Sequence, residues 1–418
     1  MPPNIARRLL FAATLSAPAL AGGHALAAPA PPFAELLRQS QATAPRLAEA
    51  RAEIARAQGL AQQARAIPNP TVGVEVENFS GSGPFKGIDL AETTASVGQT
   101  IELGGKRSAR IGAGLAEVEA ARRRATRVQA EFAFDLAEAY AQAEAADRRL
   151  QLATEALTLA EEDARVAGAL VDAGREAELR RVQARAAVQA ARATLDEART
   201  ARATAFSRLT ALAGAPAPIT SAPVSLLAAA DRPPPAQPPD PLMSPAYQAA
   251  LAERESAARR IRVERTRAVP DVTASVGVRR FEGDDASALV AGISVPLPVF
   301  DRNRGNINAA QAELRAAEAR LNAARLDAEA ESRTALSRVT SAQARLGAAR
   351  ESERAAEEAY RLTRIGYEGG KIDLIELLNA RRSLVEARAE TVQANLERVS
   401  AEAALARLQG RAPFGDQQ

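Results

Sequence analysis

The chain has 418 residues, 47% of them hydrophobic but only 3% aromatic, with no Cys, no Trp and a single His. Its 54 Lys and Arg against 51 Asp and Glu leave a formal net charge of +3, far short of the basic excess of a nucleic-acid binder. Without Cys, disulfide frameworks and thiolate nucleophiles are excluded too.

In chain order, residues 1–27 read as a leader. Arg7 and Arg8 precede an apolar run from Leu9 to Leu20, and "HALAA" ends in the small-x-small pattern cut by signal peptidase, here after Ala27. Its removal takes away the one His, His24, and two positive charges, lowering the formal charge from +3 to +1. The exported chain is expected to carry no acylated N-terminal Cys. No later stretch reaches ~20 consecutive apolar residues, so no transmembrane helix is expected. The destinations left are the periplasm, the exterior, or an outer membrane crossed by strands.

Beyond the leader one unit is written twice. The first repeat, 28–213, opens with a helix and places Pro68 before strands at about 71–79 and 93–103. A long helix, a turn at 173–175 and another helix complete it. A proline-rich connector, 214–245, follows and cannot be helical throughout. The second repeat, 246–410, places Pro270 before strands at about 272–281 and 288–297, then a long helix, a turn at 369–371 and a last helix; 411–418 is a tail. "AIPNPTVGVEVENFSG" from Ala66 and "AVPDVTASVGVRRFEG" from Ala268 mark the same point in each copy.

Nothing interrupts the helix predicted from Lys106 to Asp172, and ~67 residues at ~1.5 Å each make a rod on the order of 100 Å long. Leu150, Ala153, Leu157, Ala160, Ala164, Ala167 and Val171 follow heptad spacing, which taken alone indicates an antiparallel coiled coil. The strands point elsewhere. Val72, Val74, Val76, Val97, Ile101, Val276, Val278, Ile293 and Val295 alternate with small or polar residues, as lipid-facing positions of an outer-membrane barrel do. Thr94, Glu75, Glu77, Glu102 and Arg279 fall on the opposite, lumen-side face. Four strands are too few to close a barrel, and open edges are not tolerated in hydrocarbon, so several chains must contribute. The soluble alternative is a periplasmic coiled-coil scaffold capped by two small hairpins.

Four segments carry a resemblance: "IPNP" before the first strand, "VGQTIELGGKRSARI" and "SVPLPVFDRNRGNINAAQAEL" at the two strand-to-helix junctions, and "YEGGKIDLIELLNARRSLVEA" at the second turn. In that order, around a duplication, they resemble the TolC family of outer-membrane efflux proteins over essentially the whole mature chain. "LGGKR", Leu103 to Arg107, is most similar to the CzcC-type heavy-metal RND efflux branch. The resemblance implies a mainly α protein with a small β part. In it a long α-helical barrel continues a trimeric twelve-stranded transmembrane β-barrel, four strands per chain. It implies a passive duct for heavy-metal cations, working with a periplasmic adaptor (membrane fusion protein) and an inner-membrane RND pump. Multidrug efflux and type I secretion are the alternatives within transport. The resemblance also implies that the tips, Ala173, Gly174, Arg175 and Gly369, Gly370, Lys371, meet the adaptor. A periplasmic gate would involve Glu376 and Asn379 where relatives carry two pore-lining aspartates, Tyr367 where a tyrosine latches the closed state, and Arg180 where an acidic partner can stand.

The residues themselves point away from catalysis. With His24 removed and no Cys, a nucleophile would have to rely on Ser with Lys or Asp, and Lys86, Lys106 and Lys371 lie in expected loops or turns. No cofactor and no dedicated metal site are expected: Met243 is the one soft ligand left in the mature chain. Glu75, Glu77 and Glu102 would attract cations only weakly, the more so with Arg279 beside them.

Overall fold

The computed structural model describes residues 28–228 and 238–414. The expected leader and its cleavage point, the middle of the connector and the end of the tail lie outside the described residues.

A short strand, β1 (Ala28–Pro29), leads into α1 (Phe33–Thr43) and α2 (Pro45–Gln63). The two helices are one helical run broken at Ala44, whose ψ of 122° is what a following proline imposes. After "AIPNP" the chain forms β2 (Thr71–Glu77), β3 (Glu92–Ile101), the 67-residue α3 (Lys106–Asp172) and α4 (Glu178–Ala213). The second repeat, reached through a three-residue strand β4 (Ile219–Ser221), gives α5 (Pro245–Arg267), β5 (Val272–Phe281), β6 (Ala286–Ser294), the 65-residue α6 (Arg304–Glu368) and α7 (Leu374–Leu408).

Three strands end earlier than their alternation suggests, each for a local reason. β2 stops at Glu77 because Asn78 turns left-handed, with φ at 54°. β3 gives way at Glu102, whose carboxylate is taken by Arg110 of the next helix, and Gly104, left-handed at φ 67°, turns the chain. β6 stops short of Pro296 and Pro298, which have no amide hydrogen to give a ladder.

The four longer strands form one antiparallel sheet in the order β2-β3-β5-β6, so the central pair joins the two repeats and both outer strands keep a free edge. Below the sheet, α3 packs against α2 and α5, and further along against α4 and α7; α6 packs against α5 and then α7. The main core lies midway along the rod, where Phe132, Leu136 and Tyr140 of α3 meet Phe33, Leu36, Phe206, Leu209, Val399 and the connector's Leu226 and Leu227. Of the heptad stripe nearer the tip, Ala153 and Ala167 are buried, whereas Leu150, Leu157, Ala160, Ala164 and Val171 are only half-covered. Alanine lets the backbones approach closely there but covers little of the stripe.

Candidate functional site

Pairing puts alternate residues of all four strands on common faces. Val72, Val97 and Val276 stand in one row, and Val74, Ala95, Val278 and Leu289 in the next. Val72, Val74, Val76, Val97, Ile101, Val276, Val278 and Ile293 are all exposed, as is Val295, which lies one residue beyond β6. An exposed apolar face of this extent on a sheet is a surface for lipid or a partner, not for water.

The opposite face is polar and already neutralised in part. Arg279 pairs with Glu77 and Glu92 at 2.9 Å each and donates from Nε to Thr94 Oγ1 at 2.9 Å, tying β2, β3 and β5 together. Glu102 pairs with Arg110 at the strand-to-helix junction. Two of the three carboxylates expected to look into the lumen, Glu77 and Glu102, are therefore bound to arginines; Glu75 is exposed. Thr94, read from the sequence as an open lumen position, is only 8% exposed because Arg279 lies over it.

At the junction below the sheet, Asp271 holds the start of α3. It accepts from Leu103 N at 3.1 Å and pairs with Lys106 at 2.7 Å, while Gly104 lies so close to Val269 that a Cβ would sit 2.8 Å from it. Further down, Glu117 of α3 ties that helix to α5, accepting from Arg124 at 2.8 Å, Ser256 at 2.8 Å and Arg260 at 3.1 Å. Burial opposes ionisation of Glu117, but these hydrogen bonds, with the charges of Arg124 and Arg260, outweigh it and hold the carboxyl below its usual 4.5.

The far ends of the helices carry the expected tips. Gly174 and Gly370, at φ 69° and 68°, end α3 and α6 in the left-handed conformation that lets the chain reverse. The next amides, of Arg175 and Lys371, return to Leu170 O at 2.9 Å and Gly366 O at 2.8 Å. Ala173, Gly174, Arg175, Gly369, Gly370 and Lys371 are all exposed. Glu376 and Asn379, three residues apart in the first turns of α7, are exposed on adjacent positions of one helix face. Tyr367 is exposed in the last turn of α6, its carbonyl accepting from Gly370 N at 2.9 Å. Arg180, half-buried on the other hairpin, lies in the field of Asp163.

Between the hairpins, charge ties α3 to α7: Arg381 pairs with Glu162 at 2.7 Å and Arg388 with Glu155 at 3.3 Å. Burial pushes the Asp163 carboxyl above its usual 3.8; the charges of Arg381 and Arg382 work against the rise, Glu162 adds to it and Arg180 opposes it.

Sequence reasoning missed the belt that grips the connector. Glu144, 5% exposed, accepts from Ser225 Oγ and from the amides of Leu226 at 2.8 Å and Leu227 at 3.1 Å. Arg398, fully buried, donates to Leu227 O at 3.0 Å and pairs with Glu402 at 3.1 Å. Tyr140, also fully buried, donates to Val224 O at 2.8 Å; burial and the neighbouring Glu144 charge push its phenol up to about 12, so it remains a donor. Its signal was present: one tyrosine amid the alanines of "AEAYAQAEAA" has no reason to stand there except to reach a partner. Among the described residues there is no group of three or more potential metal ligands, and no helix is long and apolar enough to cross a membrane.

The sequence matches the outer membrane efflux protein family over residues 36–215 and 242–411. It is 43% identical to the nickel-cobalt-cadmium resistance protein NccC of Alcaligenes xylosoxydans xylosoxydans over 94% of this chain and 90% of that one. To the nickel and cobalt resistance protein CnrC of Cupriavidus metallidurans it is 45% identical over 68% of each. Among solved structures it is similar to the MtrE outer membrane channel of Neisseria gonorrhoeae, with a TM-score of 0.74 and 20% identity over 92% of this chain and 90% of that one.

Proposed function

Because the chain belongs to the outer membrane efflux protein family, we propose that it is the passive duct of a tripartite export system and that its cargo is heavy-metal cations. The channel fold and the outer-membrane location come with the family. The cargo rests on one observation, the 43% identity, over 94% of the chain, to a nickel-cobalt-cadmium resistance protein.

Three copies complete the duct, each giving four strands to a closed twelve-stranded barrel and its helices to the wall beneath. The exposed apolar face of the sheet meets outer-membrane lipid. A proton-driven RND pump in the inner membrane would supply the energy. A periplasmic adaptor would dock around the exposed tips at Gly174 and Gly370. The chain itself needs no catalytic group and no resident metal. It lowers no barrier of its own and passes on what the pump has selected.

In this reading the tip end is the resting constriction. Three copies of Glu376 make a ring of carboxylates that attracts cations and repels anions, and three of Asn379 make a polar ring one turn further on. Tyr367 and Arg180 stand close to the reversal points, where a latch would act. Two experiments test the reading. A deletion strain should lose resistance to nickel, cobalt, zinc or cadmium while a drug panel is unchanged; sensitivity to drugs alone would sink the metal assignment. In planar bilayers Glu376→Gln should reduce cation preference and Glu376→Lys should reverse it; unchanged selectivity in both would remove Glu376 from the pore.

A further inference from the structure

At the foot of the sheet the two repeats part ways. β3 reaches α3 through four residues, 102–105, whereas β6 takes nine, 295–303, to reach α6. The short junction neutralises Lys106 with Asp271 and Arg110 with Glu102, and it exposes no aromatic ring. The long one, "VPLPVFDRN", is built otherwise.

Its apolar side chains are bare. Leu297 is 79% exposed, Val299 62% and Phe300 100%, and they follow directly on Val295 at the end of the sheet's exposed apolar face. Ile293, Val295 and Leu297 keep the alternate-residue spacing of that face. The run is unsuited to pairing with another strand: Pro296 and Pro298 have no amide hydrogen, and the amide of Val299 is spent on Leu297 O at 2.9 Å. Its cover must therefore be one that asks for no ladder of hydrogen bonds.

Two exposed arginines, Arg302 and Arg304, close the segment. Arg302 donates from Nε to Pro298 O at 3.3 Å, which folds its guanidinium back beside the apolar run and leaves its terminal amino groups for another acceptor. The nearest carboxylate in the sequence, Asp301, is turned onto the amide of Asn303 at 2.8 Å. Among the described residues neither arginine forms an ion pair. α6 continues from here into the periplasm, so the segment stands where hydrocarbon gives way to water. Bare apolar side chains followed by partnerless cations suit that boundary, the first in acyl chains and the second among headgroup phosphates.

We infer that the β6–α6 junction binds an anionic glycerophospholipid of the periplasmic leaflet. Leu297, Val299 and Phe300 lie against its acyl chains, and Arg302 and Arg304 take its phosphate, to which the forked guanidinium is matched. The preference is for an anionic headgroup because a zwitterionic one brings its own ammonium to compete for that phosphate. The inference rests on the reading that the sheet's apolar face meets lipid, and adds to it a headgroup site present in the second repeat and missing from the first.

The absence of Trp from the sequence makes the test clean. Phe300→Trp places a single fluorophore at the junction, and Val74→Trp places one on the apolar face of the sheet. Each full-length mature protein is reconstituted in phosphatidylcholine vesicles that carry either brominated phosphatidylcholine or brominated phosphatidylglycerol. Emission from the Phe300→Trp protein should be blue-shifted and quenched by both lipids, with brominated phosphatidylglycerol effective at the lower mole fraction. Adding Arg302→Gln or Arg304→Gln should lower that preference by roughly fivefold each, while quenching by brominated phosphatidylcholine persists. Blue-shifted emission that neither lipid quenches would mean that a neighbouring copy covers Phe300, and emission typical of an indole in water would mean that nothing does. Either overturns the inference, and if Val74→Trp is still quenched the lipid-facing reading of the sheet stands. Equal quenching by the two lipids, or a preference that survives both glutamine changes, overturns the headgroup site. Absence of quenching from Val74→Trp as well overturns the lipid-facing reading itself.

Discussion

The belt midway along the rod and the tips at its far end are written in the same few residues, yet they are held in opposite ways. In the belt Tyr140, Glu144 and Arg398 are buried and bonded to backbone atoms of the connector, so each can occupy only one position. Toward the tip the ties are side chain to side chain and partly wet, with Arg381 and Glu162 at 29% and 42% exposure. A buried bond to backbone cannot be traded for water without penalty, whereas a surface ion pair can. The molecule is thus a fixed collar with ends that are cheap to move.

The collar can be broken outright. Tyr140→Ala removes a fully buried aromatic and should cost about 3–5 kcal/mol, read as a lower unfolding temperature in detergent and as proteolysis near Val224. Tyr140→Phe, which loses only the bond to Val224 O, should cost about 1 kcal/mol. Equal losses in the two would mean that packing contributes little there. The tip should respond on a smaller scale. Arg381→Ala removes one half-wet pair worth at most ~1 kcal/mol, so stability should hardly change while the open fraction in single-channel records rises by up to about fivefold. A loss of stability as large as that of Tyr140→Ala would erase the distinction between the regions.

The finest contrast is the sign of the pH response. Glu117, above the belt, has its carboxyl held below 4.5, so its contribution is present above that value and lost as pH falls through the folded value. Asp163, near the tip, is raised above 3.8, so its contribution is present below that value and lost as pH rises through the folded one. Hydrogen exchange followed from pH 3 to 6 should show the upper helices gaining protection while the α3–α7 contact near Asp163 loses it. Glu117→Gln should flatten the first trend and Asp163→Asn the second; parallel trends in both regions would contradict the assignment.

The order of strands, rod and turns in each repeat was legible because each part has a local signature. Alternating valines give a period of two, uninterrupted alanine, glutamate and arginine give helix, and Pro68, Pro270, Gly174 and Gly370 mark the changes. The Arg279 network and the belt were not legible. Arg279, Glu77 and Glu92 come from three strands, and Glu144 meets Leu226 across 82 residues, so no window of sequence contains the pair.

The sequence by itself thus determined the duplicated order of elements and their faces, because backbone propensity and hydrophobic period act over a few residues. Only the tertiary structure decided which carboxylates stay available and which are bound to arginine, that Thr94 is covered and Phe300 bare, and that the proline-rich connector is clasped by a buried glutamate and arginine. These depend on where distant segments meet, and charge and burial are properties of that meeting, not of any residue alone.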